Sequence, residues 1–353
     1  MSLLEHSILK LEKRVPLTVS YGTQTHSTVI WFRWQEEGIE GWGETTPFAV
    51  GEIDQSLESI LAELSSARTW LGSASAWERH SIETRLRKEA APSALIAGIT
   101  LALLDWMGKR LGQPVWRLLG LAGEIGPVTS VTVGISSPEM AVKRIRDWRA
   151  VGDVRAFKVK LGSPAGIAAD QAMFGAVRAE VPTHFRLSVD ANGGWSVEDA
   201  QAMSVWLADR GVDHLEQPLA RGQESMLPAV RKVSPLPIIV DESIFDSRDI
   251  PSLVGRVDGI NIKLMKCGGI DEALRTVAAA RAHGMQLLVG CYGNTALANC
   301  AAATLGPLVD YLDLDSHLNL KDDPFNGAQM LEGRLALPAG AGFGISRSAA
   351  VLT

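Results

Sequence analysis

No run of about 18 residues in this chain is continuously apolar, so no segment is offered for a membrane span. Cysteine is scarce: Cys267, Cys291 and Cys300 are the only three. An odd trio makes no disulfide framework, so a reduced cytoplasmic compartment is expected rather than secretion. Basic residues are outnumbered, 34 Lys and Arg against 40 Asp and Glu, for a net charge of −6. That leaves no broad basic surface for nucleic acid. The opening MSLLEHSILKLEKRV mixes charge with apolar residues and lacks the continuous hydrophobic core of a signal peptide. Low-complexity tracts are also missing. What the chain does have is core material. Of its 353 residues 46% are hydrophobic and 21% charged, enough for two domains or one barrel with an addition.

The first part reads as strands followed by helices. Residues 5–15 and 28–36 have strand character and are joined by the polar loop Tyr21-Gly22-Thr23-Gln24-Thr25-His26. Gly38 to Gly43 reads as a turn. Helical patterns follow near 55–70, 76–88 and 93–111, the last apolar nearly all round and so expected to be buried. Strands then helices, without alternation, argue an α+β unit. After about residue 125 the texture changes to strands alternating with helices. Eight short runs qualify as strands: 130–134, 156–160, 186–190, 214–216, 237–241, 259–263, 286–290 and 311–315. Their spacing is about one βα unit, which predicts a modified TIM-type (β/α)7β barrel. The expected division is an α+β capping domain over 1–122 and a barrel over 123–323. The loop-rich segment 324–353 is expected to pack back on the cap.

Inside a barrel strand alternate residues face the lumen. In AFKVKL, Lys158 and Lys160 share one face and Phe157, Val159 and Leu161 the other. Ser188 and Asp190 oppose Leu187 and Val189; Asn261 and Lys263 oppose Ile260 and Ile262; Asp313 and Asp315 oppose Leu312 and Leu314. Charge therefore collects on the lumen side at the C-terminal strand ends, where barrel active sites sit.

Five charged residues end five successive strands: Lys160, Asp190, Glu216, Asp241 and Lys263, at intervals of 30, 26, 25 and 22 residues. Three adjacent carboxylates repel unless something cancels them. A hard divalent cation does so, and Mg²⁺ is the usual choice when substrate oxygens complete its shell. A carboxylate held there, with a lysine on each face of its α-carbon, is set up for proton abstraction and redelivery. A lysine base must be neutral, and the cation, a second lysine such as Lys158, and burial would all lower its pKa. The plainer alternative is that each acid is an ion-paired strand end, with Lys263 only the partner of Asp241.

The segments FKVKLG, SVDANGGW, LEQPL, IVDESI and INIKLMKCGGI, with GWGETTP early and PAGAGFGI late, resemble the muconate-lactonising subgroup of the enolase superfamily. A lysine base with Mg²⁺ is the known pattern of that superfamily. The resemblance spans nearly the whole chain. It implies metal ligands at Asp190, Glu216 and Asp241, with Asn192 and Glu242 beside them, and acid/base lysines at Lys160 and Lys263 assisted by Lys158. It also implies a cap that shapes the substrate pocket through loops 20–26 and 47–54.

LDLDSHL is similar to the aspartate pair with which dipeptide epimerases hold a free α-ammonium, here Asp313 and Asp315. Two inward carboxylates with no cation near them in sequence need a partner, and a substrate amine would serve. Two departures bear on specificity. The first loop reads YGTQTHST, with Gln24 where Ala-Glu epimerases often place an arginine. The seventh strand ends GCYGNT, where relatives often place a glutamate near Asn294. Phe48 and Val50 in the second loop, beside Glu52 and Asp54, suit an apolar or basic side chain better than an acidic one, and Gln24, Tyr292 and Asn294 are also expected to meet the substrate. The expectation is a dipeptide epimerase: a cytoplasmic homo-oligomer with a small-molecule partner, binding neither nucleic acid nor membrane. The alternatives are N-acylamino-acid racemase, o-succinylbenzoate synthase or muconate cycloisomerase of the same subgroup, and a non-catalytic binding barrel.

Overall fold

In a computed structural model of the chain, which describes residues 2–121, 123 and 126–348, the antiparallel unit is larger than the sequence suggested. β1 (Leu3–Val19), β2 (Gly22–Glu36) and β3 (Ile39–Thr45) form one sheet in that order. Residues 22–26, expected as loop, are strand: Gly22 pairs with Val19 and Gln24 with Leu17, leaving Ser20 and Tyr21 as the turn. The register slips between Glu12 and Leu17, so Lys13 to Pro16 leave the ladder as a bulge. The stretch from Gly38 to Gly43 is not a turn either. Glu37 and Gly38 make the turn, at φ 50° and 75°, and Ile39 already pairs with Glu36. The later glycines serve packing. A Cβ on Gly43 would lie 2.0 Å from the carbonyl oxygen of Gly98, and one on Gly41 2.1 Å from that of Ala102.

β4 (Phe48–Val50) and β5 (Ile53–Gln55) make a small hairpin, followed by α1 (Leu57–Leu71), α2 (Arg79–Lys88), α3 (Ser93–Arg110) and the short α4 (Val115–Leu118). α3 is buried as its sequence implies, through Leu95, Ile99, Leu103 and Trp106. Its one buried acid, Asp105, explains how the tail docks. It accepts the N–H of Trp42 from β3 and the N–H of Phe343 from the tail, both at 2.8 Å, and pairs with Lys109 at 2.6 Å. The N–H of Val115 donates to the Gly342 carbonyl at 2.8 Å. The expected boundary at residue 122 and the last five residues of the tail lie outside the described residues.

The alternating half is a ring. In chain order it runs β6 (Val131–Val133), α5 (Pro138–Val151), β7 (Ala156–Lys160), α6 (Ile167–Glu180), β8 (Arg186–Asp190), α7 (Val197–Ala208), β9 (Leu215–Glu216), α8 (Leu227–Val233), β10 (Ile238–Val240) and α9 (Ile250–Leu253). It continues with β11 (Gly259–Ile262), α10 (Leu264–Cys267), α11 (Ile270–Ala282), β12 (Gln286–Gly290), α12 (Ala296–Ala303) and β13 (Tyr311–Asp313). Among the described residues β6 to β13 form one parallel eight-stranded sheet in sequential order. A bridge between Thr129 and Leu312 closes it. The fold is a (β/α)7β barrel with an antiparallel-sheet cap. Outward strand residues such as Phe157, Val159, Leu187 and Val189 are fully buried under the helices. Inward positions carry the polar groups of β7, β8 and β11, with Ile239 and Leu288 among the apolar exceptions.

Candidate active site

Ring order fixes which charges face each other. β7 and β11 stand four strands apart among eight, so Lys160 and Lys263 confront one another across the mouth. Asp190 ends β8, Glu216 ends β9 and Asp241 follows β10, filling the arc between the lysines. β13, with Asp313, lies opposite β9. The three acids of the arc are buried, and oxygens from each lie within 4.8 Å of one another.

The cluster is dense in ion pairs. Lys160 Nζ is 2.6 Å from Asp190 Oδ2, and Lys263 Nζ is 2.7 Å from Asp241 Oδ2. Lys158, buried on the barrel axis, reaches Glu216 Oε2 at 2.5 Å and Asp313 Oδ2 at 2.7 Å. A fourth lysine, Lys266, donates to Asp241 Oδ1 and to the Asp241 carbonyl, both at 2.5 Å. Burial alone would lower Lys160 and Lys263, and Lys158 pushes Lys160 the same way. The adjoining carboxylates outweigh this and hold both lysines above the ordinary range. Direct contact of Lys160 with Asp190 and of Lys263 with Asp241 sets this balance. Burial would also raise Asp241, but Lys263 and Lys266 hold it well below the usual carboxylate range.

The donor set suits a hard cation. Buried oxygens of Glu216, Glu242, Asn192 and Asn261 have no hydrogen-bond partner among the described residues. Glu216 Oε2 is one of these: Lys158 is close to it, but not along a hydrogen-bonding direction. Asn192, at φ 44°, turns its amide to Asp190 Oδ2 at 3.1 Å and Glu242 Oε1 at 3.0 Å. Asn261 donates to Glu216 Oε1 at 2.7 Å. Burial, then Asp241 and Asp190, pushes Glu242 up to about 8. Oxygens without hydrogen-bond partners around three clustered carboxylates are what Mg²⁺ or Ca²⁺ coordinates, and among the described residues the cluster holds neither His nor Cys.

Asp313 and Asp315 both line the cavity, but the premise that they lack a cation is corrected by the fold. Lys158 comes across the lumen to Asp313, which also accepts from Ser130 Oγ at 2.7 Å. The charges of Lys13 and Arg144 act on Asp315. Asp315 Oδ2 accepts the N–H of Thr132 at 2.6 Å. Burial and the neighbouring Asp313 raise the Asp315 carboxyl.

These groups surround a cavity of about 340 Å³, room for a small molecule rather than a polymer. Lys158, Lys160, Glu216, Lys263, Asn192, Gln24 and Tyr292 line it. Asn294 and Phe48, expected in the wall, stand behind it. Asn294 is buried and bonds Glu44 and Thr46 of the cap. Phe48 stacks on Tyr292 with ring centroids 4.7 Å apart. The 47–54 loop is a closed hairpin that reaches the wall through this stack. The cap instead contributes the β1 bulge, with Lys13, Val15 and Pro16, and Tyr21 at the hairpin tip. Strand periodicity cannot signal a bulge; Tyr21 belongs to the 20–26 segment expected to shape the pocket, and it does line it. Lys266 had a readable signal in its spacing from Lys263.

Comparison with known proteins agrees with this architecture. Residues 5–120 match the family "Mandelate racemase / muconate lactonizing enzyme, N-terminal domain", and residues 140–351 match "Enolase C-terminal domain-like". A hydrophobic dipeptide epimerase of Roseobacter litoralis is 42% identical over 337 residues, covering 95% of this chain and 96% of that one. The L-Ala-D/L-Glu epimerase of Bacillus subtilis, solved with substrate, superposes with a TM-score of 0.91 at 27% identity, over 98% of this chain and 99% of that one. The dipeptide epimerase of Enterococcus faecalis, solved with Mg and L-Leu-L-Tyr, gives 0.88 at 32% identity over 98% of each chain. The chain belongs to the mandelate racemase/muconate lactonizing enzyme family of the enolase superfamily.

Proposed function

We propose that this protein is a Mg²⁺-dependent epimerase of dipeptides, inverting the α-carbon of the C-terminal residue. It is an isomerase acting on amino acid derivatives, as are the epimerases it resembles. The observation that carries the reading is one small cavity lined by a lysine on each side, by Glu216 of the buried three-carboxylate cluster between them, and by Asp313 and Asp315 opposite.

Asp190, Glu216 and Asp241 would hold the ion, which when bound supplies positive charge to the substrate carboxylate and relieves the lysines of the carboxylates' pull. Asp313 and Asp315 hold the dipeptide's ammonium, so that the α-carbon lies between Lys160 and Lys263. One lysine, neutral, takes the α-proton as the C–H bond breaks. The other, protonated, returns a proton to the opposite face. The cap bulge and Tyr21 close the mouth and keep bulk water from competing for that proton. Gln24 offers an acidic side chain no ion pair, whereas Val15, Leu17, Val19 and Ile135 in the wall favour an apolar one. The three cysteines are free, which suits a reducing cytoplasm.

A dipeptide library in deuterated water tests this by mass spectrometry. With Mg²⁺, deuterium should enter the C-terminal residue's α-position, apolar dipeptides leading, and chelation should stop it. Incorporation unaffected by chelation would refute the metal. L-Ala-L-Glu outrunning every neutral dipeptide would refute the side-chain reading.

A further inference from the structure

Glu44, near the end of β3, is fully buried and unused by the chemistry above. A buried carboxylate is costly unless its bonds are made. Among the described residues its hydrogen bonds go to the loop after β12. Oε1 accepts the Thr295 N–H at 2.9 Å and the Asn294 side-chain amide at 3.2 Å, and Oε2 accepts the Thr295 hydroxyl. An acid of the cap thus pins a loop of the barrel.

The loop passes the constraint on. Asn294 Oδ1 accepts the N–H of Tyr292 at 3.0 Å, and Asn294 Nδ2 also donates to Thr46 Oγ1 at 2.8 Å. The Tyr292 ring, stacked on Phe48, has its centroid 4.4 Å from Lys263 Nζ. Across the barrel, Lys160 rests on Asp190, with no hydrogen bond, ion pair or ring contact to this loop among the described residues. The two bases are therefore supported unequally.

We infer that Glu44 is a positioning residue for one base only: through Thr295 and Asn294 it sets the Tyr292 ring against Lys263, and so governs proton transfer on the face Lys263 serves. The inference rests on the two-lysine reading above. A merely structural Glu44 would, when lost, impair both faces alike. A base displaced by about 1 Å can lose on the order of a hundredfold in rate, so a loosened Tyr292 should show on one face.

The experiment measures initial α-proton exchange in deuterated water, with Mg²⁺, separately from the L,L and L,D forms of one apolar dipeptide. Lys160→Ala and Lys263→Ala first assign a stereoisomer to each lysine. Glu44→Leu and Tyr292→Leu should each reduce exchange from the Lys263 isomer by about tenfold or more, and from the other by less than about twofold. Glu44→Gln, which keeps an acceptor for the Thr295 N–H, should restore both. Equal losses on both faces in a folded Glu44→Leu protein, or no loss, would overturn the inference. Should Glu44→Leu not fold, Glu44→Asp draws the oxygens back by one methylene, and the same one-sided loss decides. If neither lysine variant affects exchange, the two-lysine reading itself fails, and the inference falls with it.

Discussion

Removing Lys266 tests whether charge holds the carboxylate arc together. Its side chain is about 1% exposed, and its ammonium contacts Asp241 twice at 2.5 Å and the Asn261 carbonyl at 3.2 Å. Lys266→Met keeps most of the stem and removes the cation. Breaking a buried pair from one side costs about 3–5 kcal/mol. Asp241 keeps Lys263 at 2.7 Å, and burying Lys266 is itself unfavourable, since burial pulls its pKa down against Asp241. The lower end, about 3 kcal/mol, is therefore expected. With an unfolding entropy of about 2.1 cal/mol/K per residue, that is a fall in Tm of about 4 °C for 353 residues. Magnesium should shrink the deficit. Ion at about 100 times its Kd adds about 2.7 kcal/mol to any protein that binds it only when folded. The variant, having lost a competing ammonium, should bind it more tightly. Thermal unfolding in chelator and across a Mg²⁺ series reads both effects. A variant as stable as the parent in chelator, or a deficit that Mg²⁺ leaves unchanged, would refute the view that lysines and metal neutralise the same three acids.

Two further outcomes are expected. Burial first of all pushes Glu44 up to about 7 and Asp323 up to about 6. An acid whose folded pKa exceeds its unfolded value binds more protons when folded, so it weakens the fold as pH rises through that interval. Asp241, held low, titrates well below this window. Buried His214 and His317, pushed down by burial, pull the other way up to about pH 6.5, so the test is a difference: between about pH 5 and 7.5 the Tm of Glu44→Gln should gain on the parent's as pH rises, and a difference that does not change with pH would count against the assignment. At the other end of the cavity, Asp315→Asn should cut kcat/KM for free dipeptides by about ten- to a hundredfold, and much less for N-acetylated ones. Asp315 is the cleaner target, because Asp313→Asn also unties Lys158. A parent enzyme that prefers N-acyl amino acids would remove the dipeptide assignment and leave the metal and lysine assignments standing.

The barrel and its charged lumen were legible because alternation within a strand is local. Lys158 and Lys160 on one face and Phe157 and Val159 on the other can be satisfied only by a core outside and partners inside. What alternation cannot carry is contact between distant segments. Glu44 meets Thr295 across 251 positions, and nothing near either residue announces the other. Asn294 reads as wall because relatives often place a glutamate near it; a loop has no period to show that Tyr292 lines the cavity and Asn294 does not. Lys266 differs, because its signal was local and went unused. Lys263 ends a strand and starts α10, a single turn closed by Gly268 in the left-handed region at φ 91°. Residues three apart on a helix share a side, so a helix starting at Lys263 brings Lys266 back toward the same acid. Three carboxylates flanked by two lysines alone would be short of positive charge. With Lys158 and Lys266 included, four lysines meet the three acids, Lys158 being shared with Asp313, and a cation is called for instead by buried oxygens of Glu242, Asn192 and Asn261 that have no hydrogen-bond partner among the described residues.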